Sequence, residues 1–68
     1  MKGKKIYSLT EIDKEFEKIE KLGYEINASD DGCQIWDSSK LLVDSDSQDT
    51  YEENASDAIN SFWGLDKT

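Results

Sequence analysis

Six carboxylates stand within the fourteen residues from Asp44 to Asp57, namely Asp44, Asp46, Asp49, Glu52, Glu53 and Asp57, with no basic residue among them. A run of this kind has three chemical uses: it can ligate a cation, move protons as a carboxylate pair, or present negative charge to a basic partner. Spacing tests the first use. Asp44, Asp46 and Gln48 stand at positions 1, 3 and 5 of a possible EF-hand loop. Position 6 then holds Asp49 where the loop needs glycine, and position 12 holds Ala55 where a bidentate glutamate belongs. No specific metal site is expected.

Catalysis fares no better. A glycosidase-type pair needs a cleft that holds two carboxyl groups apart across a substrate, and a chain of 68 residues offers little cleft. There is no histidine, so the usual acid–base group at neutral pH is missing. Cys33 is the single cysteine. It has no imidazole partner and falls where a strand needs a small apolar residue, so it is expected in the core. The glycines at 3, 23, 32 and 64 make no phosphate-cradling motif. The chain is expected to be non-enzymatic, without a cofactor.

The charge is polarised along the sequence. Residues 1–24 carry six lysines and five acids, net +1, whereas residues 25–68 carry eleven acids against Lys40 and Lys67, net −9; the sum is −8. Such a body is repelled by nucleic acid and by anionic membranes, and attracts basic surfaces. Two readings of the acidic stretch stay open on composition. One is a solvated face that keeps a small protein in solution. The other is imitation of a nucleic-acid backbone. In an extended Asp44-Ser45-Asp46, alternate carboxylates stand ~6.6–6.8 Å apart on one side, comparable with neighbouring phosphates, whose charges recur every ~3.4 Å of helix axis. Asp49, Glu52, Glu53 and Asp57 would continue that track along the exposed side of a helix.

The elements that must position these groups are well punctuated. Ser8 and Glu11 form a capping box, Tyr7 and Ile12 a hydrophobic staple, and Leu9, Ile12, Phe16 and Ile19 an apolar stripe. Glu17 and Lys21 are spaced for a surface pair, and Gly23 supplies the left-handed stop. A brief strand at Lys5–Tyr7 could precede this helix. Tyr24, Ile26 and Ala28 then alternate with polar residues, as in a half-buried strand. The Ser29–Gly32 turn, with its Asp-Gly pair, suits the positive φ angles of a tight hairpin. Cys33 and Ile35 continue a second strand, Asp37–Lys40 reads as another turn, and Leu41–Val43 as a short third strand. Trp36 is expected on the outer face beside Leu42, as a cross-strand pair or as an exposed anchor for a partner.

A second capping box, Thr50 with Glu53, starts another helix, with Glu52 and Glu53 at the end its dipole favours. Tyr51, Ala55, Ala58, Ile59 and Phe62 form its stripe. Gly64 is the expected stop, with Leu65 packing back and Asp66–Thr68 a tail. Trp63 belongs at the edge of the core. The fold class is therefore α+β, in the order αβββα, with a three-stranded antiparallel sheet and two helices packed on it. Residues 1–68 form one small acidic domain, ordered over about residues 6–65. Leu9, Ile12, Phe16, Ile19, Tyr24, Ile26, Ile35, Val43, Ile59 and Phe62 are its expected core. No apolar run spans a bilayer and no signal peptide stands at the start, so the cytoplasm of a bacterial host is the expected location.

The pattern from Thr10-Glu11-Ile12 through Tyr24-Glu25-Ile26, then Val43-Asp44-Ser45-Asp46-Ser47, then Ala58-Ile59-Asn60-Ser61-Phe62, resembles the small phage-encoded anti-CRISPR proteins. Within them it is similar to the kind that occupies the site for the protospacer-adjacent motif on a type II CRISPR nuclease. The likeness covers residues 8–64 and is one of architecture and charge. It implies that the acids of the loop and second helix, Asp44, Asp46, Asp49, Glu52, Glu53 and Asp57, meet the basic residues that normally read DNA; Trp36, on its reading as an exposed anchor, is a further expected partner contact. The expected function is thus a DNA-mimicking inhibitor of a nuclease, binding a basic protein and no nucleic acid itself. An immunity protein or antitoxin covering a nuclease toxin would use the same carboxylates, and a phage or host accessory protein without such a partner is the third reading.

Overall fold

Ser8 opens the first helix by exchanging two hydrogen bonds with Glu11. Its Oγ accepts from the Glu11 N–H at 3.2 Å, and Glu11 Oε1 accepts from the Ser8 N–H at 3.0 Å. In the computed structural model, which describes residues 6–46 and 49–65, helix α1 runs Leu9–Lys21. Ile12 and Ile19 are fully buried and Phe16 is half-buried. Leu9, expected in the core, is instead 55% exposed. Tyr7 explains why. It packs on the cluster around Ile12, and its N–H donates to Ser56 Oγ at 2.7 Å, so the staple residue covers this end of the core and leaves Leu9 at the rim. Ile6–Ser8 forms no strand; Lys5 lies outside the described residues. The Glu17–Lys21 pair forms on the wet side at 4.0 Å. Gly23, at φ +105°, ends the helix after the C-cap Leu22.

Strands β1 (Glu25–Ser29), β2 (Gly32–Asp37) and β3 (Lys40–Ser45) make an antiparallel sheet in that order. Pairing aligns Ile26, Ile35 and Val43 in one row and Ala28, Cys33 and Ser45 in the next. β3 is longer than the Leu41–Val43 expected, because Asp44 and Ser45 stay in register with Gln34 and Cys33. A register shift follows Ile35: Val43 opposes Ile35 but Leu41 opposes Trp36. Leu42 is the extra residue of a β-bulge, turned onto the core. Trp36 therefore faces Leu41 and not Leu42.

The first hairpin turn departs from the Asp-Gly expectation. Among the described residues only Gly23 and Ser38 have positive φ. Asp30 and Asp31 turn without it, and Gly32 begins β2 opposite Ser29. Gly32 answers a steric need: a Cβ there would meet Asp46 Cβ and the Ser45 carbonyl oxygen, each at 2.9 Å. Ser38, at φ +58°, bears the left-handed strain of the second turn. Ser38→Gly should therefore raise stability by about 0.5–1 kcal/mol, read as a higher urea midpoint. The same change at Ser39, whose φ is negative, should lower it.

Helix α2 (Tyr51–Leu65) begins with the second capping box, the Glu53 N–H donating to Thr50 Oγ1 at 3.1 Å and the Thr50 N–H to Glu53 Oε1 at 3.2 Å. Ala55, Ala58, Ile59 and Phe62 are buried, as are Asn54 and Ser56, and Tyr51 is half-buried. α2 lies across β2 and β3, while α1 packs on α2 and reaches β1. Both helices cover the face that carries Cys33, Ile35 and Val43. Gly64 does not stop α2; it takes a helical φ, and Leu65, expected to pack back, is 50% exposed. Asp66–Thr68 lie outside the described residues. The core has two clusters, around Ile35 and around Ile12, joined by Phe16 and Trp63.

Candidate functional site

Strand alternation decides which acids face outward. Ile26, Ala28, Cys33, Ile35, Val43 and Ser45 point to the helices, so Glu25, Asn27, Gln34, Trp36, Leu41 and Asp44 belong to the opposite face. No described helix covers that face. Ser45 is 3% exposed. Asp44 and Asp46, exposed on either side of it, therefore emerge on one side, as the extended reading of this stretch requires. Gln34 Nε2 donates to Asp44 Oδ1 at 3.4 Å and steadies the first of them.

A concavity of about 230 Å³ opens beside these two carboxylates, between β1, β2 and the end of β3. Asp31 lines it with Asp44 and Asp46, and among the described residues no lysine does. Asp31 is held at the hairpin tip by its N–H, which donates to Ser29 Oγ at 3.3 Å. Its membership was not readable from sequence, because the hairpin's direction depends on the register of β1 and β2. The missing Cβ of Gly32 lets the chain at Ser45–Asp46 approach this hairpin. Among the described residues no three metal-ligating side chains converge on one point, so the carboxylates form a lined surface and not a closed ligand shell. Gln48 and Ser47 lie outside the described residues.

The other acids divide. Asp49 is exposed and Glu52 half-buried. Glu53 is half-buried, with its carboxylate engaged on the Thr50 N–H. Asp57, expected on the exposed side of α2, is half-buried and accepts from Ser45 Oγ at 2.8 Å. The reason lies in β3: an inward hydroxyl between two outward acids needs a buried acceptor. That alternation was visible in Asp44-Ser45-Asp46 and points to such a partner. Asp57 thus anchors the acidic strand and does not extend its face. Asp57→Ala should cost about 1–2 kcal/mol by stranding the hydroxyl, whereas Asp57→Asn, which keeps an acceptor, should cost less. Adding Ser45→Ala to Asp57→Ala should recover part of the loss, measured by urea denaturation of all three variants.

Trp36 is half-buried on the outer face, opposite Leu41, itself 40% exposed. The pair forms an apolar spot further along β2 from the carboxylates. Trp63 sits at the core edge, its Nε1 donating to Glu15 Oε1 at 3.0 Å. Cys33 is fully buried, and burial pushes its thiol up to about 11, so it is protonated at neutral pH. Tyr51 is also held above its usual value, first by burial, then by the negative charges that Cys33, Asp13 and Glu52 can carry. No helix among the described residues is long and apolar enough to cross a membrane. No known protein family, curated protein or solved structure matches the chain.

Proposed function

We propose that this chain is a non-enzymatic inhibitory binding protein. It sets its acidic sheet face, Asp31, Asp44 and Asp46 with Asp49 and Glu52 beyond, against the basic nucleic-acid-binding groove of a nuclease. The resemblance in architecture and charge makes a CRISPR effector the target to test first. One observation carries the reading: buried Ser45 fixes Asp44 and Asp46 on the same side, beside Asp31, in a lining that holds no lysine among the described residues. Their ~6.6–6.8 Å repeat matches the scale of backbone phosphates. A groove built for phosphates gains the same charge pairing from a rigid row of carboxylates, and steering speeds the encounter.

Affinity capture from bacterial lysate, at low and at high salt, tests this. The wild-type chain should recover a nuclease or another DNA-binding enzyme at low salt and lose it at high salt. DNA carrying the enzyme's recognition sequence should elute it. Recovery of a nuclease toxin would assign the same face to an immunity role. Recovery of the same proteins by a chain with the five acids neutralised would return the face to being merely solvated.

A further inference from the structure

The ends of both helices and the β2–β3 hairpin enclose a second hollow, of about 460 Å³, within the size range of ligand sites. Tyr24, Phe62 and Trp63 line it. Their rings stand nearly perpendicular in sequence: Tyr24 to Phe62 at 76° and Phe62 to Trp63 at 77°, each pair with centroids 5.0 Å apart. Leu22 and Leu65, 61% and 50% exposed, form apolar lips. Among the described residues, Asp37 is the charged side chain of the lining. It lies at the other end of β2 from Gly32, about 17 Å away by strand rise, so this hollow is separate from the acidic concavity and its reading does not rest on that one.

The lining selects a cation on an apolar stem. Aromatic faces attract cations, arginine above all, and a carboxylate can take a guanidinium through two hydrogen bonds. Leu22 is the C-cap of α1, so the negative end of that helix dipole lies beside the groove. Lys18 and Lys21 stand in the last turn of α1, each with an acid of the same helix beside it. Lys18 pairs with Glu15 at 3.3 Å and Lys21 with Glu17 at 4.0 Å. Lys40 stands across the hairpin from Asp37, and among the described residues no ion pair joins them. A second copy of the chain is a poor occupant, since it contains no arginine and carries net charge −8.

We propose that this groove binds an arginine side chain presented between leucines by a segment of a basic protein partner. The guanidinium sits against Asp37 and the rings, and the flanking leucines cover Leu22 and Leu65. The test is a titration of the isotope-labelled full chain, followed by amide NMR, with a short synthetic peptide in which leucines flank one arginine. Its citrulline counterpart, which keeps the shape and loses the charge, and free N-acetylarginine amide form the other arms. Saturable shifts centred on Leu22, Tyr24, Asp37 and Trp63, at least fivefold weaker binding of the citrulline peptide, and weaker binding of the free amide support the proposal. Asp37→Asn should weaken the arginine peptide about threefold, and Leu22→Lys with Leu65→Lys about tenfold or more, in variants whose spectra remain dispersed. Equal binding of the two peptides overturns it, as do shifts confined to Asn27, Gly32 and Asp44, or none at all. Groove shifts that follow protein concentration without peptide would assign the surface to self-association and also overturn it.

Discussion

Neutralising Asp31, Asp44, Asp46, Asp49 and Glu52 together, to Asn or Gln, should weaken binding to the recovered nuclease about hundredfold while leaving the fold intact. The size follows from five contacts each contributing a few tenths to one kcal/mol at a partly hydrated rim. The fold should survive because these carboxylates hold little of it. Of the five, Asp44 accepts one side-chain hydrogen bond, at 3.4 Å from Gln34, which the side-chain carbonyl of an asparagine in its place can still accept. Net charge falls from −8 to −3, so self-repulsion drops. The wild-type melting temperature should accordingly rise with moderate NaCl, and that of the variant should change less. Calorimetric titration at two salt concentrations reads the other half: the variant's affinity should vary less steeply with salt. The pair Glu53→Gln with Asp57→Asn is the control. Those groups cap α2 and hold Ser45, and the amides keep an acceptor for each hydrogen bond, so the same kind of neutralisation should leave both fold and affinity largely unchanged. Undiminished binding by the folded five-site variant would remove the mimicry reading.

That division between acids shows what a sequence can and cannot reveal here. Both capping boxes were legible because Ser8–Glu11 and Thr50–Glu53 are local chemistry, complete within four residues. The αβββα order was legible for the same reason: the apolar period changes from helical to alternating after Gly23 and returns after Thr50. What failed depended on distant chain. Leu9 continues the stripe of α1, yet Tyr7, tied to Ser56 by a contact spanning 49 residues, covers that end of the core. Leu42 was paired with Trp36 by simple counting, which cannot foresee a bulge. Gly32 looked like a turn residue and proved to be a point of close approach to Asp46. At the site, alternation placed Asp44 and Asp46 correctly. Asp31 joined them only through the register of β1 on β2, and Asp57 was drawn inward by Ser45. Charge composition marks the acidic stretch but does not tell an outward carboxylate from one drawn in to hold the chain.

Ile35→Ala should leave the protein largely unfolded at 25 °C. Ile35 is fully buried at the centre of the sheet, with Ile26 and Val43 in register on either side and Ile19, Ala58 and Phe62 in the same cluster. Truncating such an isoleucine removes its transfer energy and leaves a cavity, a loss of about 2–5 kcal/mol. A core in a chain this short rarely supplies more than about 3–5 kcal/mol in total. Neighbours have little room to close the gap: Ile35 adjoins the bulge, where moving the backbone would alter the pairing of Trp36 with Leu41. Ile35→Val, which removes one methyl group, should cost about 1 kcal/mol and stay folded. Leu9→Ala should cost little, since Leu9 is 55% exposed. Urea denaturation followed by far-ultraviolet circular dichroism separates the three, and the contrast between Ile35 and Leu9 is the sharp part, because both sit in apolar patterns of the sequence. A cooperative Ile35→Ala transition with a midpoint near that of the wild type would mean that the helix–helix cluster around Ile12 carries the stability. The sheet, and the acidic face on its other side, would then be held up by α1 and α2 and not by its own inner row.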